Sequence, residues 1–352
     1  MEEGQIIYPG EPILTVRGPI YQAQIIETML LLILNHQSLI ATKASRMVRV
    51  AKGRAISEFG SRRAHGADAA NYGARAAYIG GAASSANTYM DRQAGIPSTG
   101  TMAHSWVQSF DSELESFRAY AEVYPDHTLL LVDTYDVLRQ GIPNAITVFK
   151  ELREKGHEPL GIRIDSGDIA YLTKETRKML DEAGFPNAKI VVSNSMDEFK
   201  IRDLLNQGAQ IDSFGVGERL ITAKSDPVFG GVYKLVAVEK DGQMIPKIKV
   251  SEDVIKITNP GFKQVYRFYD KDTGIMQADL VALRDEEAPS GEEFEIFHPL
   301  YTWKRTTIKN YVAKPLLKPI FEKGKLVYKS PDIDDIKAFA AENQDLSLIH
   351  IW

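Results

Sequence analysis

The sequence predicts an α/β fold: a parallel sheet curled into an incomplete (α/β) barrel of fewer than eight regular strands, with a smaller flanking module. Three observations lead there. Short strand-like runs alternate with helix-like stretches from Gly53 to about residue 220, a rhythm that requires parallel strands and crossover helices. The run Leu129-Leu130-Leu131-Val132 is continuously apolar, as in a strand covered on both faces. Polar residues gather at the C-terminal ends of nearly every run: Arg62-Arg63, Ser84-Ser85, Thr101 to His104, Asp133, Arg163 to Asp168, Ser193-Asn194 and Gly215 to Arg219. Side chains spread over so many strands converge on one mouth only if the sheet closes. The first helix has no GxGxxG opening, which counts against an open dinucleotide-binding sheet.

Taken in order, residues 5–17 alternate between Pro9-Gly10 and Gly18-Pro19 and read as one or two short strands. From Tyr21 to about Ala51 the spacing is helical. The apolar run Met29–Leu34 lies in this stretch and reads as buried helix core, far short of the roughly 20 residues of a membrane span. The barrel strands are then expected at Ala55–Phe59, Ala82–Ala86, Ser98–Met102, Thr128–Asp133, Leu160–Asp165, Ile190–Ser193 and Ser213–Val216. Helices are expected at Ala67–Tyr78, Ser105–Tyr124, Asp136–Glu154, Ile169–Ala183 and Asp197–Asn206. Beyond Pro227 the runs Val232–Glu239, Met244–Val250, Gln264–Tyr269 and Gly274–Ala282 read as strands, with Asp241-Gly242 a hairpin turn. A helix starts at Pro331-Asp332, and the tail Ser347–Trp352 has no capping logic. The divisions are 1–52 (N-terminal part of the flanking module and linking helix), 53–226 (barrel) and 227–352 (β-rich module with terminal helix).

Composition narrows the function. The 352 residues are 44% hydrophobic and 25% charged, an ordinary globular balance, and the net charge is −5. That argues against nucleic acid or an anionic membrane as the main partner. There is no cysteine, so disulfides, thiolate nucleophiles and Cys-ligated zinc are excluded, in keeping with a cytoplasmic setting. The first residues lack the basic and apolar regions of a signal peptide. The histidines show no metal-ligand spacing.

Four stretches carry chemistry. Arg62 and Arg63 follow a strand, where guanidinium forks match carboxylates and phosphates, although a solvated basic turn explains them as well. Thr101 and His104 sit at a small-residue strand end before a helix, a place for an anion and for a base or nucleophile; a lone histidine is more often structural. In Arg163-Ile-Asp165-Ser166-Gly-Asp168 the arginine and first aspartate share one side of a strand, while Ser166 and Asp168 suit helix caps. Gly215 and Gly217 end the last strand before a helix-like run, which suits a phosphate. Asn194 and, more weakly, Asp133 are further strand-end candidates. Together they describe an anionic ligand such as a sugar phosphate.

The same stretches resemble the nicotinate phosphoribosyltransferase family in its bacterial long form. The resemblance runs through NHQSLIATKASR (35–46), EFGSRRAHGADAA (58–70), IPSTGTMAHSWVQ (96–108), LVDTYDVLRQGIPNAI (131–146), GIRIDSGDIAYLTK (161–174), FGVGERLIT (214–222), VYKLVA (232–237) and FHPLYTW (297–303). It implies the barrel of type II phosphoribosyltransferases with a small α/β sandwich-like module. It implies condensation of nicotinate with phosphoribosyl pyrophosphate to nicotinate mononucleotide and pyrophosphate, the first step of NAD salvage from nicotinate. ATP hydrolysis is coupled to this through a phosphohistidine, with Mg²⁺ assisting the leaving pyrophosphate. On this resemblance His104 is the modified histidine and Asp165 a catalytic carboxylate. Arg163, Ser166 and Asp168 lie on the ribose and pyrophosphate side, Gly215 and Gly217 hold the 5′-phosphate, and Arg62 and Arg63 stand at the substrate mouth. Thr101 and Asn194 are further substrate contacts, and the nicotinate carboxylate goes to an arginine left unassigned. Full-length members are homodimers whose N-terminal tyrosine-bearing segment caps the nicotinate ring across the interface. This chain begins where that segment should have ended and looks truncated. The alternatives are a nicotinamide or quinolinate phosphoribosyltransferase, another sugar-phosphate barrel enzyme, or a fragment that binds ligand without turnover.

Overall fold

The computed structural model describes residues 1–250, 252 and 257–347. The chain divides into two compact units, one of residues 35–229 and one of residues 1–34 with 230–352.

Two helices open the chain, α1 (Ile20–Ile25) and α2 (Glu27–Val50). The second half of α2 buries Ile40, Ala44 and Met47 in the core of the larger unit. The expectation for Met29–Leu34 is corrected: none of these residues is buried, and Met29, Leu32 and Ile33 are exposed. An apolar run marks a sticky surface as readily as a core, and hydropathy alone does not separate them. By length and hydropathy the stretch Ile20–Val50 would also suffice to cross a membrane. The core packing of its second half is that of a helix in a folded domain.

The larger unit is built on six parallel strands: β1 (Ala55–Glu58), β2 (Ser84–Ser85), β3 (Leu129–Leu131), β4 (Gly161–Ile164), β5 (Lys189–Val192) and β6 (Ser213–Val216), in the order β2-β1-β6-β5-β4-β3. This is a curled half-barrel. Between the strands run α3 (Ala67–Ile79), α4 (Thr88–Ala94), α5 (His104–Gln108), α6 (Glu113–Val123), α7 (Ile142–Glu154), α8 (Ile169–Glu182) and α9 (Glu198–Asn206), and the one-turn α10 (Glu218–Ile221) follows β6. All three residues of β3 are buried, as its unbroken apolar run requires. The core holds Phe117, Phe149, Phe185 and Phe214, with Phe149 and Phe185 edge-to-face at 5.5 Å.

Two barrel expectations are corrected. Ser98–Met102 does not form a strand; a single parallel bridge, Ser85 to Ser98, is all that pairs. Ser98, Thr99, Gly100 and Thr101 offer no apolar side chains for the two faces of a buried strand. The stretch Ser105–Tyr124 is two helices, α5 and α6, because the chain leaves the helix at Ser109 and Ser112 N-caps a new one by accepting from Glu115 N–H at 3.2 Å. The predicted 136–154 helix begins with a wide turn, Val137–Gly141. Gly141 is obligatory there: a Cβ would stand 2.0 Å from the Val132 carbonyl oxygen.

The smaller unit is β-rich. Its hairpin β7 (Ala237–Lys240) and β8 (Gln243–Pro246) turns at Asp241-Gly242, both with positive φ. A three-stranded antiparallel sheet follows the order β10-β9-β13, with β9 (Lys263–Asp270), β10 (Met276–Leu283) and β13 (Tyr311–Pro315); β11 (Glu293–Phe297) pairs with β12 (Arg305–Lys309). The helix expected after Pro331 is α11 (Ile333–Asp345), N-capped by Asp332. The short strands expected in residues 5–17 are absent; turns and irregular backbone run there instead. Of the tail, residues from 348 onward lie outside the described residues.

Within this unit Arg267 is fully buried and grips Asp279 through two bonds of 2.7 and 2.6 Å. Glu11 joins them. Its Oε2 accepts from Tyr8 N–H at 3.0 Å, and its buried Oε1 has no hydrogen-bond partner among the described residues. Burial, then the neighbouring Asp279 carboxylate, pushes the Glu11 carboxyl up to about 8. The folded chain therefore keeps a proton that the unfolded chain releases near pH 4.5. The stabilisation is complete below that pH and is lost as the pH climbs through about 8. Thermal melts between pH 5 and 9 are expected to show a declining midpoint whose slope flattens in Glu11→Gln. An unchanged slope in that variant would contradict the assignment.

Candidate active site

The C-terminal ends of the parallel strands bring one histidine, one arginine and two aspartates together. His104 opens α5 with its side chain 41% exposed. Its Nδ1 lies 3.1 Å from Thr134 Oγ1. Its Nε2 faces two carboxylates, Asp133 Oδ1 at 3.9 Å and Asp165 Oδ2 at 4.0 Å. Both distances exceed a hydrogen bond. In the tautomer that donates Nδ1–H to Thr134, Nε2 carries the lone pair.

Asp133 follows β3 and its side chain is only 1% exposed. Oδ2 accepts from Asp165 N–H at 3.0 Å and from Ser166 Oγ at 2.6 Å. Oδ1, on the histidine side, has no hydrogen-bond partner among the described residues. Asp165 lies beyond β4, and its Oδ1 accepts from Arg163 Nη2 at 3.1 Å and from Ser193 Oγ. Arg163 donates besides to Ser193 Oγ at 2.9 Å and to Thr101 Oγ1 at 2.7 Å. The segment that failed to become a strand thus delivers Thr101 to the arginine. The Arg163 guanidinium stands 5.5 Å from the centre of the Phe59 ring.

The remaining sequence candidates divide. Ser166 belongs to the cluster through Asp133. Asp168 is the N-cap of α8, accepting from Tyr171 N–H at 3.1 Å, and is exposed at the same strand end. Asn194 is exposed in a left-handed turn with φ 91°, its carbonyl held by Lys200 Nζ at 2.9 Å. Arg62 and Arg63 lie exposed on the turn Ser61–Arg63, with no hydrogen bond to the cluster among the described residues. Gly215 and Gly217 have a packing reason for being glycine. A Cβ on Gly215 would meet Phe59 ring atoms at 2.6 Å, and one on Gly217 would come within 3.2 Å of the Phe59 carbonyl oxygen.

Sequence reasoning missed Thr134, Phe59 and Glu58. Thr134 follows Asp133 directly, so the strand end itself was the available signal. Glu58 ends β1 fully buried, and burial holds its carboxyl above the usual range against the pull of its Ser85 and Gly60 donors. No group of three His, Cys, Asp or Glu able to hold a metal ion is found among the described residues. Asp133 and Asp165 do offer hard oxygens, one of them buried and unpartnered. That pattern suits Mg²⁺ in sites where phosphates and water supply most ligands.

Two family models match the chain: the nicotinate phosphoribosyltransferase (NAPRTase) family over residues 54–273 and the nicotinate phosphoribosyltransferase C-terminal domain over 262–348. A nicotinate phosphoribosyltransferase of Bacillus subtilis is 47% identical over 346 residues, covering 98% of this chain and 70% of the relative. One from Mus musculus is 33% identical, covering 99% and 74%. The crystal structure of human nicotinic acid phosphoribosyltransferase is similar with a TM-score of 0.85 at 28% identity, over 98% of this chain and 75% of that one. That of a nicotinate-nucleotide pyrophosphorylase from Pyrococcus furiosus gives 0.71 at 27% identity, over 93% and 75%.

Proposed function

The chain belongs to the nicotinate phosphoribosyltransferase family, and on that premise we propose that it condenses nicotinate with phosphoribosyl pyrophosphate at the His104–Asp165 cluster, coupled to ATP hydrolysis through His104. The product is nicotinate mononucleotide, and the role is salvage of nicotinate for NAD. The observation that carries the reading is the part-exposed His104, whose Nε2 faces Asp133 and Asp165, the latter bonded to Arg163.

In the coupling step Nε2 attacks the γ-phosphorus of ATP. The N–P bond forms, the bond to the bridging oxygen breaks, and ADP leaves. Water later returns the phosphoryl group as inorganic phosphate. A phosphoryl group on Nε2 places new negative charge beside Asp133 and Asp165, which changes the affinity of the mouth for the anionic donor. In the transfer step positive charge develops at the ribosyl carbon, where the Asp165 carboxylate stabilises it. Mg²⁺, held by Asp165 or Asp133 together with the pyrophosphate, would neutralise the leaving group. Arg163, with Thr101 beside it, is the best-placed donor set for the nicotinate carboxylate, since its guanidinium also lies near an aromatic ring. Arg62 and Arg63, exposed at the rim, suit capture of the charged donor.

A homodimer is part of the proposal. The exposed apolar residues Ile20, Tyr21, Ile25, Met29 and Leu32 on the opening helices support it. A cytoplasmic setting suits a chain without cysteine. Assaying nicotinate, nicotinamide and quinolinate side by side tests the substrate. Nicotinate mononucleotide from nicotinate alone is expected, and a preference for nicotinamide or quinolinate would overturn the reading.

A further inference from the structure

We infer that Glu58 is a positioning residue: its buried carboxylate fixes the Phe59–Gly60 turn and so sets one wall of the site for a flat ring ligand. The inference rests on the pyridine reading above.

Two neutral donors hold the carboxylate. Oε1 accepts from Gly60 N–H, and Oε2 accepts from Ser85 Oγ at 2.7 Å. Ser85 Oγ is itself oriented, because it accepts from Asn87 N–H at 3.0 Å. With its hydroxyl oxygen so engaged, its proton is the one given to Glu58, which calls for an acceptor there. The side chain of residue 58 thus folds forward onto the amide of residue 60, and the one residue enclosed is Phe59. Its backbone is pinned as well, Phe59 N–H donating to the Val216 carbonyl at 2.7 Å. Gly60 leaves no space for a side chain, since a Cβ there would meet Ile221 at 2.5 Å. The ring lies against Gly215 and 5.5 Å from the Arg163 guanidinium. The turn Ser61–Arg63 continues directly from Gly60. A carboxamide at position 58 would turn an NH₂ toward one of the two donors and release the turn.

Wild-type chain is first assayed with nicotinate and phosphoribosyl pyrophosphate, which tests the pyridine reading by itself. Glu58→Gln, Ser85→Ala and the double variant follow, with melting temperature recorded separately. The KM for nicotinate is expected to rise about tenfold in Glu58→Gln with kcat within about twofold, the scale of one hydrogen bond to a charged group. Ser85→Ala is expected to do less, and the pair to be non-additive because both act on one carboxylate. An unchanged KM in folded Glu58→Gln, or additive effects on kcat alone, would overturn the inference. Should Glu58→Gln fail to fold, Ser85→Ala keeps the carboxylate, and its KM rise or its absence decides. If wild type gives no product, the Kd for nicotinate by calorimetry replaces KM with the same ratio expected.

Discussion

His104→Asn is expected to abolish ATP stimulation of nicotinate mononucleotide formation, with a loss of about 10²–10⁴-fold in the ATP-driven rate. The carboxamide can still reach Thr134, the partner of Nδ1 at 3.1 Å, so the start of α5 keeps its anchor. What it lacks is a nucleophilic nitrogen toward Asp133 and Asp165. Slow transfer without ATP should persist, because Arg163, Asp165 and Thr101 are untouched. Initial rates with and without ATP distinguish the two components. ATP stimulation intact in the variant would remove His104 from the coupling step.

Arg163→Leu is expected to lower kcat/KM for nicotinate by about 10²-fold or more, since charge-assisted hydrogen bonds are each worth about 1.5–3 kcal/mol. The arginine bonds Thr101, Ser193 and Asp165 at once. Its loss strips Asp165 of a cationic partner and detaches the segment that carries Thr101. Arg163→Lys should recover little, because an ammonium cannot span three acceptors held in a planar fork. Steady-state kinetics with nicotinate varied reads this directly. Near wild-type kcat/KM in Arg163→Leu would place the carboxylate elsewhere, with Arg62 or Arg63 the next to test.

Much of this architecture is legible in the sequence. Where a strand is buried on both faces, as at Leu129–Leu131, its apolar run announces it. Where a helix begins at a side-chain cap, as at Asp168 or Asp332, the residue type announces it. The segment 98–102 reads as a strand by its position in the rhythm, but its small polar residues cannot pack as one. Its role is instead to hold Thr101 at Arg163. Met29–Leu34 reads as core yet none of it is buried, because an apolar helix shows the same sequence whether it faces a core or water. The strands β11, β12 and β13 escaped notice, since two of them are mostly exposed and carry mixed polar residues.

The site was legible residue by residue but not as a constellation. Arg163, Asp165 and His104 stood out by type and by strand-end position. Spacing gave no hint that Asp133 turns one unpartnered oxygen toward the histidine, or that Thr134 holds the far nitrogen. Those relations cross from one strand to another, and a single sequence does not carry register between distant strands. Glu58 was invisible for a similar reason. Its partner Ser85 lies on another strand, and only the fold shows the carboxylate sealed against Ser85 and Gly60.

The most direct test of ATP-coupled phosphoribosyl transfer is to incubate the purified chain with nicotinate, phosphoribosyl pyrophosphate and Mg²⁺, with and without ATP, and to quantify nicotinate mononucleotide by mass spectrometry. Product that rises with ATP, matched by ADP release, is the predicted result. A folded chain that binds phosphoribosyl pyrophosphate but makes no product under either condition would contradict it.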